Sequence, residues 1–390
     1  MHEVRIARIR RSMERLNVEV LLCKLPENVL YLSGYWPVMG LSLLILPLEG
    51  EPTLIIPKAE EEFAREGWVR DVRTYETEKL DEVWDPHKHI LRVLKELPVP
   101  KGVRVGCELR CESMATNSVV GELNYPGELT FDVIRRAWNA TLVDMTDEIM
   151  KARMIKTEDE LEKMQMANEI AKMGLEAVVE RIEEGVKESE LAAEAERVVH
   201  SEGIGYKGKV RRARGFAFVM SGENSSKAWY PFNFSSDRRV RKGDVILIEY
   251  NVCVDGYWTD ITRTWVFGEA SESQEDMYNT LLEAQEEVYR SIRPGMQARE
   301  ADKIAREFIS RRGYARFFPH RLGHGIGLKI HEPPALHPAS KDILQENMVH
   351  TVEPGMYTAK FGMRLEDDVV ILGKGVKNLT DVPKYLSLKE

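Results

Sequence analysis

Residues 244–267 read DVILIEYNVCVDGYWTDITRTWVF. Two strand-like runs flank Asp255-Gly256, and that dipeptide between such runs predicts a two-residue hairpin turn. The turn sets Val254 opposite Tyr257, Asn251 opposite Asp260, and Glu249 opposite Thr262. Glu249 and Asp260 then become diagonal neighbours on one face, about 7–8 Å apart at the backbone. Two acids on an otherwise apolar hairpin repel each other and need a cation, a proton or a ring of donors. A divalent metal meets that need, as does a shared proton or a nearby Arg. The plain alternative is a pair of solvated acids on an exposed sheet face.

Three later stretches carry the same kind of side chain. FFPHRLGHGIGLKIHEPP, residues 317–334, holds His320, His324 and His331, three of the nine histidines in the chain. Glycines on both sides of His324 let backbone approach it closely. MVHTVEPGMY, residues 348–357, places Glu353 between a short apolar run and Pro-Gly. The plain reading there is a strand ending in a turn. GMRLEDDVVI, residues 362–371, places Glu366 in a strand pattern beside Arg364, Asp367 and Asp368, where the plain reading is a solvated acidic edge. Together these stretches offer four carboxylates and one histidine at strand ends or in a glycine-rich loop. Oxygen-rich ligation with one imidazole suits Mn²⁺, Co²⁺, Fe²⁺ or Zn²⁺ in a two-metal site.

Working outward, the chain divides into an α/β domain over 1–150 and a second domain over 151–390. In the first, residues 3–16 predict an amphipathic helix with Ile6, Ile9, Met13 and Leu16 on one stripe. Strands are expected at Val18–Leu22, Leu41–Leu46, Thr53–Ile56 and Val103–Cys107. The second opens with Thr157-Glu158-Asp159-Glu160, which predicts a capping box and a helix running to about Glu184. A faint repeat follows. Gly185, Glu190 and Gly203 recur 110 residues later as Gly295, Glu300 and Gly313, and Ile182 recurs as Ile292. Each triplet brackets a helical pattern, SELAAEAERVVHSEG or AREADKIAREFISRRG. Such a repeat suggests two like lobes facing each other across a cleft.

Composition bounds the function. With 390 residues, 43% of them hydrophobic, the chain can bury two substantial cores. Its 55 basic and 64 acidic residues give a net charge of −9, which argues against a general nucleic-acid binder. The longest apolar stretch, Leu41–Leu48, is far short of the roughly 20 residues of a membrane span. The charged N-terminal run MHEVRIARIRRSMERL lacks the apolar core of a secretion signal. Cys23, Cys107, Cys111 and Cys253 are irregularly spaced and read as reduced cytosolic thiols, with Cys107 and Cys111 too isolated for a zinc knuckle. A cytoplasmic location is expected.

The ordered set IEY, GYWTDITRT, GHGIGLKIHEPP, TVEPGMY and GMRLEDD resembles the creatinase/methionine aminopeptidase superfamily, peptidase family M24. Within it the resemblance is to the Xaa-Pro dipeptidases (prolidases) and aminopeptidase P. PENVLYLSGY, residues 26–35, resembles the opening of the creatinase-type N-terminal domain. The resemblance implies an α/β (α+β) chain: a creatinase-like N-terminal domain, then a catalytic domain of "pita-bread" fold with pseudo-twofold halves. It implies a metal-dependent hydrolase of short peptides or small amides, with two divalent metal ions and a bridging water as nucleophile. The metal ligands carried over by motif are Glu249, Asp260, His324, Glu353 and Glu366. Glu353 would double as general base, and His320 and His331 would hold substrate and stabilise the tetrahedral intermediate. Arg364 and Thr262 would orient the ligands. A homodimer is implied, with no nucleic acid and no membrane as partner.

Three positions depart from that pattern. Prolidases and aminopeptidase P carry Asp where this chain has Glu249. The extra methylene moves the carboxylate by about 1.5 Å, against a ligand-distance tolerance of about ±0.2 Å. Asn251 stands where the family has a small residue, and its amide can donate to Asp260. In SGENSSKAWYPF, residues 221–232, Trp229 occupies the place of a family histidine; its indole donates a hydrogen bond but takes no proton. Lys227 or Tyr230 is the alternative contact there. These departures keep two other readings in view. One is a metal-free or altered-substrate C–N hydrolase like creatinase; the other is a non-catalytic binding module on the same fold.

Overall fold

The computed structural model describes residues 2–38, 42–76, 85–110, 127–229 and 234–388. Cys111 and Tyr230 lie outside them. The chain forms two compact units, Met1–Arg153 and Met154–Glu390.

The first unit is a six-stranded mixed sheet with helices. Its strands are β1 (Val20–Cys23), β2 (Leu43–Pro47), β3 (Thr53–Pro57), β4 (Asp71–Tyr75), β5 (Arg104–Cys107) and β6 (Thr141–Asp144). They lie in the order β4-β3-β2-β1-β5-β6. Helix α1 (His2–Leu16) buries Ile6, Ile9 and Met13 and half-buries Leu16, so the expected stripe is the packed one. Helix α2 (Pro26–Ser33) occupies the PENVLYLSGY stretch and ends on Gly34 at φ 75°, the left-handed cap that glycine adopts freely. The buried Glu108 carboxylate accepts from Lys24 N–H at 2.7 Å and the Asn28 amide at 2.7 Å, which fixes the entry to α2. Short helix α3 (Glu61–Ala64) follows, then α4 (Pro86–Glu96) and α5 (Glu128–Trp138), whose Trp138 indole donates to Leu94 O at 2.9 Å. Helix α6 (Thr146–Met154) closes the unit. Cys23, Cys107 and Cys253 are free buried thiols.

The second unit is built of two helix-backed sheets. Helices α7 (Glu158–Arg181) and α8 (Glu188–Val198) cover a sheet of β7 (Ala213–Ser221), β8 (Val245–Val254) and β9 (Tyr257–Phe267), with a common apolar core. The β8–β9 pairing sets Val254 against Tyr257, Asn251 against Asp260 and Glu249 against Thr262, the register expected from the turn. Asp255 and Gly256 both take positive φ, 45° and 92°, as that turn requires. Helix α7 lies so close to β8 that a Cβ on Gly174 would sit 2.6 Å from the Tyr250 hydroxyl.

Helices α9 (Glu272–Ser291) and α10 (Ala298–Arg311) back a second sheet of β10 (Gly323–Gly325), β11 (Glu332–Leu336), β12 (Val349–Val352), β15 (Asp367–Leu372) and β16 (Gly375–Asn378). A ribbon of β13 (Gly355–Tyr357) and β14 (Gly362–Arg364) precedes β15, and β17 (Ser387–Leu388) pairs with β9.

The repeat has a structural basis. Gly185 and Gly295 both take φ near +90°, at 87° and 89°. Gly185 N–H donates to Val240 O and Gly295 N–H to Leu344 O, each at 2.8 Å. Both turns link a long helix to a shorter one. The third pair differs: Gly313 has φ 87°, whereas Gly203 ends a π-type turn packed against Ala213.

One local detail departs from expectation. Helix α7 ends at Arg181, three residues early. At its start the expected capping box forms: the Thr157 side chain takes the N3 backbone amide, and Glu160 accepts from Thr157 N–H at 2.8 Å.

Candidate metal centre

The acids gather where the two sheets meet. Glu249 sits on β8 and Asp260 on β9; His324 is central in β10; Glu353 follows β12; Glu366 precedes β15. A lone bridge pairs Thr262 with Glu366, and Glu366 N–H donates to Thr262 O at 3.0 Å. That bridge joins β9 to the second sheet at the site. Ligand atoms of Asp260, His324 and Glu366 all lie within 4.8 Å of one another. His324 Nε2 is 3.7 Å from the Asp260 carboxylate and 3.5 Å from that of Glu353. His324 Nδ1 donates to Gly325 O at 3.0 Å, which leaves the Nε2 lone pair turned to the acids.

The remaining side chains orient this group. The Thr262 hydroxyl donates to Glu366 at 2.5 Å, and Arg364 Nε donates to Thr262 Oγ1 at 2.9 Å. Arg364 also pairs with Glu249 at 2.5 Å and stands 3.7 Å from Glu366 and 4.0 Å from Glu353. The Asn251 amide donates to Asp260. Thr351 Oγ1 accepts from His324 N–H at 3.1 Å and donates to Glu353 at 3.4 Å.

Electrostatics favour a cation. Burial and the neighbouring Glu366, Glu249 and Glu353 push the Asp260 carboxyl well above its ordinary range. Burial and Glu366 do the same to Glu353, and burial lifts Glu366 to about 7. Burial holds the His324 imidazole neutral, the form that binds a metal. Four carboxylates facing one contacting guanidinium form a donor set that fits divalent ions.

His320 and His331 flank the group. The His331 ring lies 4.2 Å from that of His324, and its buried Nδ1 has no hydrogen-bond partner among the described residues. His320 Nδ1 donates to Arg321 O at 2.7 Å, so its Nε2 is the acceptor facing the Tyr357 hydroxyl at 3.3 Å. Burial, then Arg364, push the His320 pKa down to about 3; burial and Arg321 push that of His331 down to about 4. Trp229 is 43% exposed, with its ring 6.4 Å from Tyr357. The preceding Ala228 O accepts from Arg364 at 3.1 Å.

Comparison with known proteins identifies the family. Residues 162–372 match Metallopeptidase family M24, more than half of the chain, and residues 5–155 match the Creatinase/Prolidase N-terminal domain. The chain belongs to metallopeptidase family M24. It is 32% identical over 385 residues to an Xaa-Pro dipeptidase of Pyrococcus furiosus, covering 98% of this chain and 99% of that one. The prolidase structure from Pyrococcus horikoshii superposes with a TM-score of 0.80 at 30% identity, over 98% of this chain and 99% of that one. An X-Pro aminopeptidase from Thermotoga maritima gives 0.80 at 29%, over 97% and 100%. The resemblance stated from the motifs therefore holds, and so does the fold class: a mixed α/β chain with a creatinase-type N-terminal domain and the pita-bread fold of prolidases. The protein is a metal-dependent peptidase.

Further buried residues surround the acid cluster, most of them not singled out in the sequence. Asp367 and Asp368 are fully buried, not a solvated edge. Asp367 pairs with buried Arg263 at 2.7 Å and accepts from Tyr289 at 2.7 Å. Arg263 in turn donates to Glu366 O at 2.8 Å. Asp368 accepts from Thr259 Oγ1 at 2.6 Å and the Asn168 amide at 3.1 Å, directly behind Asp260. Tyr357 links Arg364 to His320. Buried Glu332, next to His331, pairs with Lys156 at 3.4 Å. Only the local doublet Asp367-Asp368 within an apolar strand pattern signalled any of this.

Proposed function

We propose that the protein is an Xaa-Pro dipeptidase, cleaving short peptides ahead of proline. The observation that carries this reading is the buried convergence of Asp260, His324 and Glu366, with Glu353 beside them and Glu249 on the adjoining strand. Similarity to the Xaa-Pro dipeptidases of two Pyrococcus species supports the substrate class.

Glu249, Asp260, His324, Glu353 and Glu366 would hold two divalent ions, of Mn, Co, Fe or Zn. Such ions, when bound, bring the pKa of water toward neutrality and polarise the scissile carbonyl. Glu353 takes the proton of the attacking water and passes it to the leaving nitrogen. His331, whose Nδ1 takes no partner among the described residues, donates to the oxyanion that develops on the substrate carbonyl, while His320, whose Nε2 accepts, holds a substrate donor. Thr262, Asn251 and Arg364 keep the carboxylates in their rotamers, which spares reorganisation as charge develops. Trp229 walls the pocket where relatives of this type carry a histidine, so proton transfer there falls to other groups. The reading includes a cytoplasmic homodimer, and the buried free thiols of Cys23, Cys107 and Cys253 support a reducing compartment.

The test is a metal count joined to an assay. Untagged protein is loaded with Mn²⁺, Co²⁺ or Zn²⁺, washed, and analysed for bound ions per chain. Two ions and cleavage of Leu-Pro in preference to Leu-Ala are expected. Folded protein that binds no ion, or that cleaves Leu-Ala as fast as Leu-Pro, overturns the reading.

A further inference from the structure

The sheet face that carries the acids does not end with them. Cross-strand partners share a face. Phe218 stands opposite Glu249, Phe216 opposite Asn251, and Arg214 opposite Cys253, which in turn faces Trp258. Phe218, Phe216 and Arg214 therefore follow one another along β7 in steps of two residues, about 7 Å each. The Phe216 ring lies 5.7 Å from both Phe218 and Trp258. All three aromatic rings are half-buried and Arg214 is exposed. Trp258 N–H donates to Gly327 O at 2.8 Å, which brings the glycine-rich segment leading to His331 against this strip.

Arg214 differs from Arg364. Arg364 is engaged by Glu249 and by Tyr357. The Arg214 side chain takes no hydrogen bond or ion pair among the described residues. An aromatic floor that starts beside a metal centre and ends at an unpaired guanidinium matches one kind of ligand group: an apolar body whose far end is a carboxylate.

We propose that the strip from Phe218 through Phe216 and Trp258 to Arg214 is a substrate subsite that selects peptides by a carboxylate. The inference rests on the peptidase reading above and names a specificity residue for it. The apolar part of the substrate residue lies on Phe216 and Trp258, and Arg214 takes the carboxylate in a bidentate pair. Two sources offer that chemistry: the free C-terminus of a dipeptide, and an acidic side chain.

Matched substrates separate them. Leu-Pro is compared with Leu-prolinamide, and Glu-Pro with Gln-Pro, on the metal-loaded full chain. The quantity read is the ratio of kcat/KM between the charged and neutral member of each pair. In Arg214→Gln that ratio falls about tenfold for one pair, the size expected for a lost charge-assisted hydrogen bond, and Arg214→Lys retains part of it. A fall for the Leu-Pro pair identifies the C-terminal carboxylate; a fall for the Glu-Pro pair identifies the side chain. A merely structural role lowers both members alike and leaves the ratios fixed. Ratios unmoved in both pairs overturn the proposal. If the wild-type chain cleaves none of the four peptides, the Xaa-Pro reading fails separately. The same ratios are then read as dissociation constants by calorimetry, where equal values in wild type and Arg214→Gln overturn the subsite.

Discussion

Asn251 and Asp260 face each other across the β8–β9 hairpin, and the Asn251 amide donates to the Asp260 carboxylate. One Asp260 oxygen is thereby fixed while the other stands 3.7 Å from His324 Nε2. Asn251→Gly removes the donor and lets the carboxylate turn. Its apparent affinity for Mn²⁺ should fall about tenfold or more, the usual effect of losing a ligand-orienting partner. Chelator competition measures this, and an unchanged affinity removes Asn251 from the site.

Asp260→Ala and His324→Ala delete side chains at the centre of the acid cluster. Each should lower peptide cleavage by about three orders of magnitude or more while far-ultraviolet circular dichroism stays as in wild type. Either variant retaining most of its activity would falsify the ligand assignment.

Asp367 is a buried hub for Arg263, Lys384 and Tyr289. Burial raises its pKa, yet Arg263 and Lys384 outweigh that and hold it at about 2. Asp367→Asn strands the buried Arg263 charge and should cost about 3–5 kcal/mol. Chemical denaturation of the second unit reads the loss; a cost below about 1 kcal/mol would mean that the cations relax to solvent.

His350 is 1% exposed, and neither ring nitrogen has a hydrogen-bond partner among the described residues. Burial and the Lys156 charge push its pKa down to about 3. The unfolded chain takes a proton near the ordinary value of about 6.5, and the folded chain does not. Above that pH His350 has no differential effect. As pH falls from there toward about 3, it destabilises the fold progressively. His350→Leu should therefore flatten the decline of melting temperature between pH 6.5 and 4. An equal slope in both proteins assigns the acid sensitivity elsewhere.

Gly174 faces the Tyr250 hydroxyl, which donates to Ala195 O at 2.6 Å and ties α8 to the sheet. Gly174→Ala gains helix propensity but drives a methyl into that ring. The net effect should be a loss of about 1–3 kcal/mol, as for other overpacked cores. Tyr250→Phe alone tests the hydrogen bond, and the double variant should still be destabilised by the crowding.

The hairpin register and the α1 stripe were legible because each follows from residues within a few positions of one another, whereas Gly185 and Gly295 were legible only as members of a repeat. The cluster of Glu249, Asp260, His324, Glu353 and Glu366 was legible through the resemblance of its motifs to a family, since the chain's 64 acidic residues do not by themselves pick out these four. The partners of these groups were not. Lys156 meets Glu332 across 176 positions and Arg263 meets Asp367 across 104. No local period records such pairings, and an acidic doublet looks the same whether solvent or a buried guanidinium answers it. Arg214 was equally silent, because its place follows from a β7–β8 register that no tight turn dictates.

The lone bridge between Thr262 and Glu366 joins two halves of similar design, and the acid cluster draws on both. Glu249 and Asp260 belong to the first half, and His324, Glu353 and Glu366 to the second. If the repeat records an ancestral duplication, the single-copy ancestor had to pair with itself to gather such a cluster. Fusion then freed the two copies to diverge, one toward acids alone and the other toward imidazoles and a base. The same history gives an engineer a place to cut. Fragments split at Gly268–Ala270 would each carry part of the cluster, and reassembly of the two would be reported by the return of metal binding.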